Sequence, residues 1–273
     1  MALNNYTRRK FIRMSSLTFA MSCNLLALTR KPTNENSNIN IFRSVTNLSD
    51  LEKIAFLLAQ QKPAKWLFSG DSITAGVEHT HGMRSYPEIF EEHIRWEMKR
   101  PRDIIINSAI SGNTTVDILN DFTWRIEQFR PEIVSVMIGT NDCSRQKVTP
   151  QIFKENLEVL TDKIRTLGAI PVLQTPNPII TDLAPERAQL DDYVIIIQKA
   201  AMEKEIILVD NYAYWKEEIK QTSQANVFKH WLNDPLHPNG EGHKAIARLM
   251  FKKLSIFNQN DATCGGIYYE GTH

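Results

Sequence analysis

Five short apolar runs recur along this chain, spaced so that a helix fits between each pair. They are Lys65–Ser69, Asp103–Asn107, Ile133–Ile138, Ile170–Gln174 and Glu205–Val209. Continuous apolar runs of this length are the mark of strands buried on both faces. The stretches between them carry helix signals. Ser49-Asp50-Leu51-Glu52 is a capping box that opens a helix to about Gln60. Thr149 caps a helix with Pro150 at its first position, and Phe153, Leu157, Leu160, Ile164 and Leu167 follow at helical spacing before Gly168 ends it. Further helices are expected over about Ser85–Lys99, Thr115–Phe129, Glu186–Met202, Tyr212–Ile219 and Glu241–Ile256. Strands that alternate with helices are joined by right-handed crossovers. The expected class is therefore α/β: a three-layer α/β/α sandwich around a five-stranded parallel sheet.

The pattern shows no internal repeat and no second domain boundary. It divides the chain into an N-terminal signal and linker over residues 1–36, one domain over 37–258 and a polar C-terminal tail over 259–273. Hydrophobic residues make up 42% and charged residues 23% of the 273, which is ordinary for a globular protein. A net charge of +1 gives no basic field, which argues against nucleic acid as a partner.

Thr7-Arg8-Arg9-Lys10-Phe11-Ile12-Arg13, followed by a modest apolar run from Met14 to Leu28, resembles a twin-arginine export signal. The run is too short for a membrane span, which needs about 20 apolar residues. The expectation is export to the periplasm or beyond, with no transmembrane span in the mature protein. Cys23 follows Ala20-Met21-Ser22, a weak likeness to a lipoprotein cleavage site; Ala20 stands where Leu belongs, so lipid anchoring is not favoured. Cys143 and Cys264 are the other cysteines, and spacing alone does not decide whether they pair.

In a parallel sheet the C-terminal strand ends share one edge, so the loops that leave them converge. Here those loops read Gly70-Asp71-Ser72, Ser111-Gly112-Asn113 and Gly139-Thr140-Asn141-Asp142. Asp234-Pro235-Leu236-His237-Pro238 joins them if the last helix docks beside the first strand. Acyl transfer needs a nucleophile, a base, an orienter for the base and donors for the oxyanion. Ser72 fits the nucleophile, His237 the base and Asp234 the orienter, three residues from the base on one proline-bracketed loop. The expected oxyanion donors are the Ser72 N–H, the Gly112 N–H and the Asn141 side-chain amide. Taken singly, each has a plainer explanation. Gly-Asp-Ser is ordinary turn chemistry, Asn141-Asp142 a helix cap, Gly112 a turn glycine and His237 a loop histidine. All four in this order favour a site.

These four blocks resemble those of the SGNH, or GDSL-type, hydrolases, which supply Ser, Gly, Asn and His in that chain order. The likeness runs from about Lys65 to Leu254, supported by Ser85-Tyr86-Pro87 and Gly242-His243; Ile73 replaces the Leu of the name-giving motif. The resemblance implies a flavodoxin-like strand order, 2-1-3-4-5, and ester hydrolysis through an acyl-enzyme without metal or cofactor. It also implies that Asp71 is mainly structural. The family's substrates span lipids, thioesters, aryl esters and acetylated sugars. A short acyl ester, such as an O-acetyl group on carbohydrate, is favoured, since export leads to polysaccharide and no long apolar stretch offers a lid. Trp231, Tyr212, Tyr214, Trp215 and Arg84 are candidates to stack on or hydrogen-bond a sugar, against packing for any one of them. His79 and His81 border the site, bind metal or are simply solvated. The rival classes are a lipase or thioesterase on the same site, a two-metal phosphoesterase, a nucleotide-binding protein and a non-catalytic carbohydrate-binding domain. The chain offers few further metal ligands at strand ends and no Gly-Lys-Ser/Thr phosphate loop.

Overall fold

A computed structural model of the chain describes residues 48–60, 62–144 and 148–271. The expected export signal, the linker and Cys23 lie outside the described residues. Five strands, β1 (Lys65–Gly70), β2 (Ile104–Asn107), β3 (Ile133–Met137), β4 (Ile170–Gln174) and β5 (Ile207–Val209), form one sheet in the order β2-β1-β3-β4-β5. Every pairing is parallel, as the alternation of strands and helices requires.

Side chains alternate across each strand, so the sheet feeds two cores. Trp66 and Phe68 of β1 and Ile133 and Met137 of β3 point to one face. There they meet α3 (Tyr86–Glu92) and α10 (Gly240–Lys253) through Tyr86, Phe90, Ile246, Met250 and Phe251. Leu67, Val134 and Val136 point to the other face. They meet α4 (Thr115–Asn120), α6 (Pro150–Thr166) and α7 (Leu190–Glu203) through Ile118, Phe153, Leu157, Leu160, Ile164, Tyr193 and Ile197. The last helix thus covers the face that carries Trp66 and Phe68, the docking the fourth loop needs.

Local signals fix where elements start. In α1 (Asp50–Ala59) Glu52 accepts from the Ser49 N–H at 2.7 Å and returns its own N–H to the Ser49 hydroxyl. Glu88 accepts from the Ser85 N–H and hydroxyl at the head of α3, and Thr149 caps α6. Several expected helices are interrupted. The 115–129 segment splits into α4, α5 (Phe122–Arg125) and a 3₁₀ turn over Glu127–Phe129. The helix expected from Ser85 ends in a π turn, His93–Glu97. Residues 181–187 form two 3₁₀ turns ahead of α7. After α8 (Asn211–Gln221), a further helix, α9 (Gln224–Trp231), occupies what reads in sequence as a loop.

The expected polar tail is partly docked. The Thr263 N–H donates to Glu97 at 3.0 Å, the Thr263 hydroxyl lies 2.9 Å from His93 Nδ1, and Cys264 enters the first core. Cys143 packs on the opposite side of the sheet, and both thiols are free. Among the described residues no helix is long and apolar enough to cross a membrane.

β1 and β3 approach closely at Gly70, opposite Met137. A Cβ on Gly70 would lie 2.3 Å from the Met137 carbonyl oxygen and 2.6 Å from Thr74 Oγ1. Gly70→Ala should therefore cost about 1–3 kcal/mol of stability through overpacking. Urea or thermal unfolding measures this, and an unchanged midpoint would mean that the two strands can part.

Candidate active site

Ser72 is the first residue of a single helical turn, α2 (Ser72–Ala75), that leaves β1 directly. The Asp71 carboxylate caps this turn by accepting the Ile73 N–H at 3.0 Å. Below it runs a buried polar chain: Thr74 Oγ1 lies 3.0 Å from the Tyr86 hydroxyl, Gln174 Nε2 donates to that hydroxyl at 3.3 Å and to Ser135 Oγ at 2.8 Å. The turn is thus tied to α3, β3 and β4 together, which fixes where the Ser72 hydroxyl points.

His237 comes from the other end of the chain. Its loop is closed by backbone bonds from the Asn239 N–H to the Trp231 carbonyl, 2.9 Å, and from the Asn233 N–H to the His237 carbonyl, 2.8 Å. Asn239 then caps α10 by accepting the Glu241 and Gly242 N–H groups. Within the loop, Asp234 Oδ1 accepts the N–H groups of Leu236 and His237, both at 2.8 Å. The spacing of three residues lets the carboxylate turn back on the imidazole, with Oδ2 at 2.7 Å from His237 Nδ1.

His237 Nε2 lies 2.8 Å from Ser72 Oγ. A carboxylate only accepts, so Nδ1 carries the ring proton and Nε2 is left to accept the Ser72 hydroxyl. Ser72, His237 and Asp234 stand in one hydrogen-bonded row. Burial pushes the His237 imidazolium to lower pKa; Asp234 opposes this, while His79 and Arg187 add to it, and the net direction is down. Burial alone would raise Asp234, but the two N–H groups and the imidazole outweigh it and hold the carboxyl below its ordinary range.

The two remaining loops sit together. Asn141 Nδ2 donates to the Asn113 carbonyl at 3.2 Å, and Asp142 Oδ1 accepts from the Thr115 N–H and hydroxyl at 2.8 and 2.6 Å. One amide hydrogen of Asn141 remains after that bond. Gly112 is held at φ +80°, and an added Cβ would meet no protein atom. Its backbone conformation, rather than crowding, is what calls for glycine. Asp71 and Asp142 are buried carboxyls, pushed by that burial up to about 7 and about 6. Asp71 spends one oxygen on the cap, and its other oxygen has no partner among the described residues, a structural position rather than a chemical one.

Sequence reasoning did not single out Arg187. Its Nη2 donates to Asn141 Oδ1 at 3.2 Å and its Nε to the Thr140 carbonyl at 3.1 Å, which leaves the NH₂ side of the amide as the free donor. No local pattern marks this arginine, because its partner is 46 residues away. His243 is a core residue: it accepts the Tyr86 N–H at 3.2 Å, and burial holds it down to about 3.

Two of the candidate sugar contacts are placed elsewhere. Trp215 is fully buried with Val227, Phe228 and Leu232, so its ring is core. Arg84 is paired with Glu92 and donates to the Tyr268 hydroxyl at 2.7 Å. Trp231 and Tyr214 stack on each other, half-buried, with centroids 5.9 Å apart. Tyr212 bonds Asp191. On the Asp234 side of the loop an apolar groove of about 680 Å³ is walled by Ile180, Leu183, Phe228, Leu232 and Pro235.

The sequence model of the GDSL-like lipase/acylhydrolase family matches residues 68–245. An acetylxylan esterase of Geobacillus stearothermophilus is 28% identical over 213 residues, 70% of this chain and 94% of that protein. Its crystal structure superposes with a TM-score of 0.58 at 25% identity, over 70% of this chain and 94% of that one. Thioesterase 1/protease 1/lysophospholipase L1 of Escherichia coli K12 is 25% identical over 197 residues, 72% of this chain and 86% of that protein. A stretch of 113 residues is 38% identical to an uncharacterized protein of Mycoplasma pneumoniae, covering 40% of this chain but only 13% of that longer protein. With its family motifs matched across most of the described domain, the chain belongs to the GDSL-like lipase/acylhydrolase family, a family of carboxylic ester hydrolases.

Proposed function

We propose that this protein hydrolyses short-chain, acetyl-type esters through an acyl-serine intermediate, with O-acetylated carbohydrate as the substrate class. The observation that carries the reading is the 2.8 Å approach of His237 Nε2 to Ser72 Oγ with Asp234 behind it. Ser72 Oγ attacks the ester carbonyl carbon while His237 Nε2 takes the hydroxyl proton. The Ser72 and Gly112 N–H groups and the free amide hydrogen of Asn141 receive the developing oxyanion, each donor worth about 3 kcal/mol of transition-state stabilisation. His237 then gives its proton to the departing alcohol. A water enters, gives its proton to the same nitrogen, and releases the acid and Ser72. Asp234 stays ionised and holds the imidazolium that forms twice per cycle. Site, mechanism and export to where polysaccharides lie are parts of one reading.

The acetylxylan esterase relative, covered over 94% of its length, favours a small acyl group on a sugar. A longer acyl chain is the second reading, favoured by the apolar groove beside Asp234. The test is p-nitrophenyl acetate, butyrate and octanoate without added metal, followed by acetate release from acetylated xylan. The acetate ester should be hydrolysed fastest, and Ser72→Ala should lower its rate at least about a thousandfold. Faster octanoate turnover would select the second reading, and an alanine variant with full rate would end the serine mechanism.

The neutral imidazole is the working form of His237, so activity falls as pH drops through its pKa. Burial holds that pKa below the ordinary histidine value of about 6.5. The acid limb of kcat/KM should therefore reach half-height below pH 6.5. A limb above pH 7 would contradict this.

A further inference from the structure

His79 and His81 sit on the loop that follows α2, outside the chemistry above. The His79 ring lies flat against the ring of His237, with centroids 3.4 Å apart and planes 6° from parallel. Its Nδ1 is 3.5 Å from Asp234 Oδ2, so two imidazoles face one carboxylate. The loop is gripped by the residue next to Asp234. Asn233 Nδ2 donates to the His79 carbonyl at 3.0 Å and lies 3.1 Å from His81 Nε2. Glu78 and His81 are held at φ 67° and 52°, a left-handed conformation that side chains other than glycine adopt only when contacts impose it.

This contact supplies something the site lacks. The Asp234 side chain is 35% exposed, so water reaches the orienting carboxylate. Its bond to Nδ1 and the Ser72 bond at Nε2 hold two atoms of the imidazole and leave the ring free to rock about the line that joins them. A second ring pressed on its face removes that freedom. The donor atoms of His79, Asp234 and His237 do lie within 4.8 Å of one another. Parallel rings, however, direct their Nδ1 lone pairs side by side, whereas a shared ion needs them to converge. The arrangement is a stack, not a chelate.

We propose that His79 is a positioning residue for ester hydrolysis, whose ring holds the His237 imidazole in the plane that points Nε2 at Ser72 and keeps water from the His237–Asp234 pair. The inference rests on the serine-hydrolase reading above. Asp234 and His237 face His79 from the catalytic loop, His243 on α10 is close enough for both imidazoles to act on it, His81 flanks His79 on its own loop, and Arg187 acts on His237. A proton on His237 is disfavoured by burial first and by the His79 ring in addition. Removing that ring acts in one direction on both counts: it admits water and takes away the second imidazole, so the imidazolium becomes easier to form.

The experiment compares kcat, KM and the pH profile on p-nitrophenyl acetate for the full chain, His79→Ala and His79→Phe, with circular dichroism and melting as fold controls. His79→Ala should lower kcat roughly tenfold, leave KM within about twofold and move the acid limb to higher pH. His79→Phe keeps a flat face and should recover most of kcat. If His79→Ala does not fold, His79→Gln takes its place with the same expectation. An unmoved limb with wild-type kcat, or a loss that His79→Phe does not recover, overturns the proposal. Ser72→Ala separates the two claims. If that variant keeps its rate, the serine reading itself has failed; if it is inactive while the His79 variants behave as wild type, only the role of His79 falls.

Discussion

Ser72 and His237 are 165 residues apart in the chain and 2.8 Å apart in space. Little in either local sequence would hold that distance. It depends on two independently fixed backbones. One is the single turn of α2, ordered by its Asp71 cap and tied to β4 by the Thr74, Tyr86 and Gln174 chain. The other is the tight loop over 231–239, closed on itself and capped into α10 by Asn239. α10 packs on α3, and α3 supplies the tyrosine under α2. The same helix pair therefore carries the base and supports the turn that bears the serine.

The sheet edge concentrates groups that are expensive to bury. Asp71 and Asp142 lose water there, which drives both toward the protonated form near neutrality. Each keeps an oxygen without a partner among the described residues. What each returns is geometry: Asp71 orders the turn that presents Ser72, and Asp142 joins the start of α4 to the loop that carries Asn141. Asp234 differs in kind. It is partly exposed, its carboxyl is held below the ordinary range, and it faces His237 Nδ1, a nitrogen that carries charge in the proposed mechanism. Three aspartates at one edge thus divide into two that hold backbone and one that bonds an imidazole.

Much of this was legible in the residues. Mostly apolar runs mark β1, β3 and β4 to within a residue, because strands buried on both faces leave little room for polar positions. Ser72 could be picked out as a candidate because the C-terminal ends of parallel strands must share an edge, and Asp234 and His237 because their loop leads into the helix expected to dock beside the first strand. What stayed hidden depends on contacts between distant segments. α9 is short and mostly exposed, with Val227 and Phe228 buried and Trp231 half-buried, so its periodicity is thin. The 115–129 segment breaks where Asp121 ends one helix and begins another. Trp215 reads as either a sugar contact or a packed ring, and the packing against Trp231 and Phe228 decides for the second. The docking of Thr263 needs the pocket made by His93 and Glu97, some 166 residues earlier. The stack of His79 on His237 leaves no sequence trace beyond a His-Thr-His loop close to Ser72.

The central claim is that one hydroxyl in this protein is far more reactive than any other, and that it belongs to Ser72. A fluorophosphonate reports this directly, since an activated serine oxygen displaces fluoride and keeps the phosphonyl group. The labelled protein, digested and mapped by mass spectrometry, should carry one phosphonyl group, on the peptide that contains Ser72, and labelling should be lost with His237→Ala. A label on another residue, or esterase activity that survives in protein showing no label at Ser72, would contradict the account.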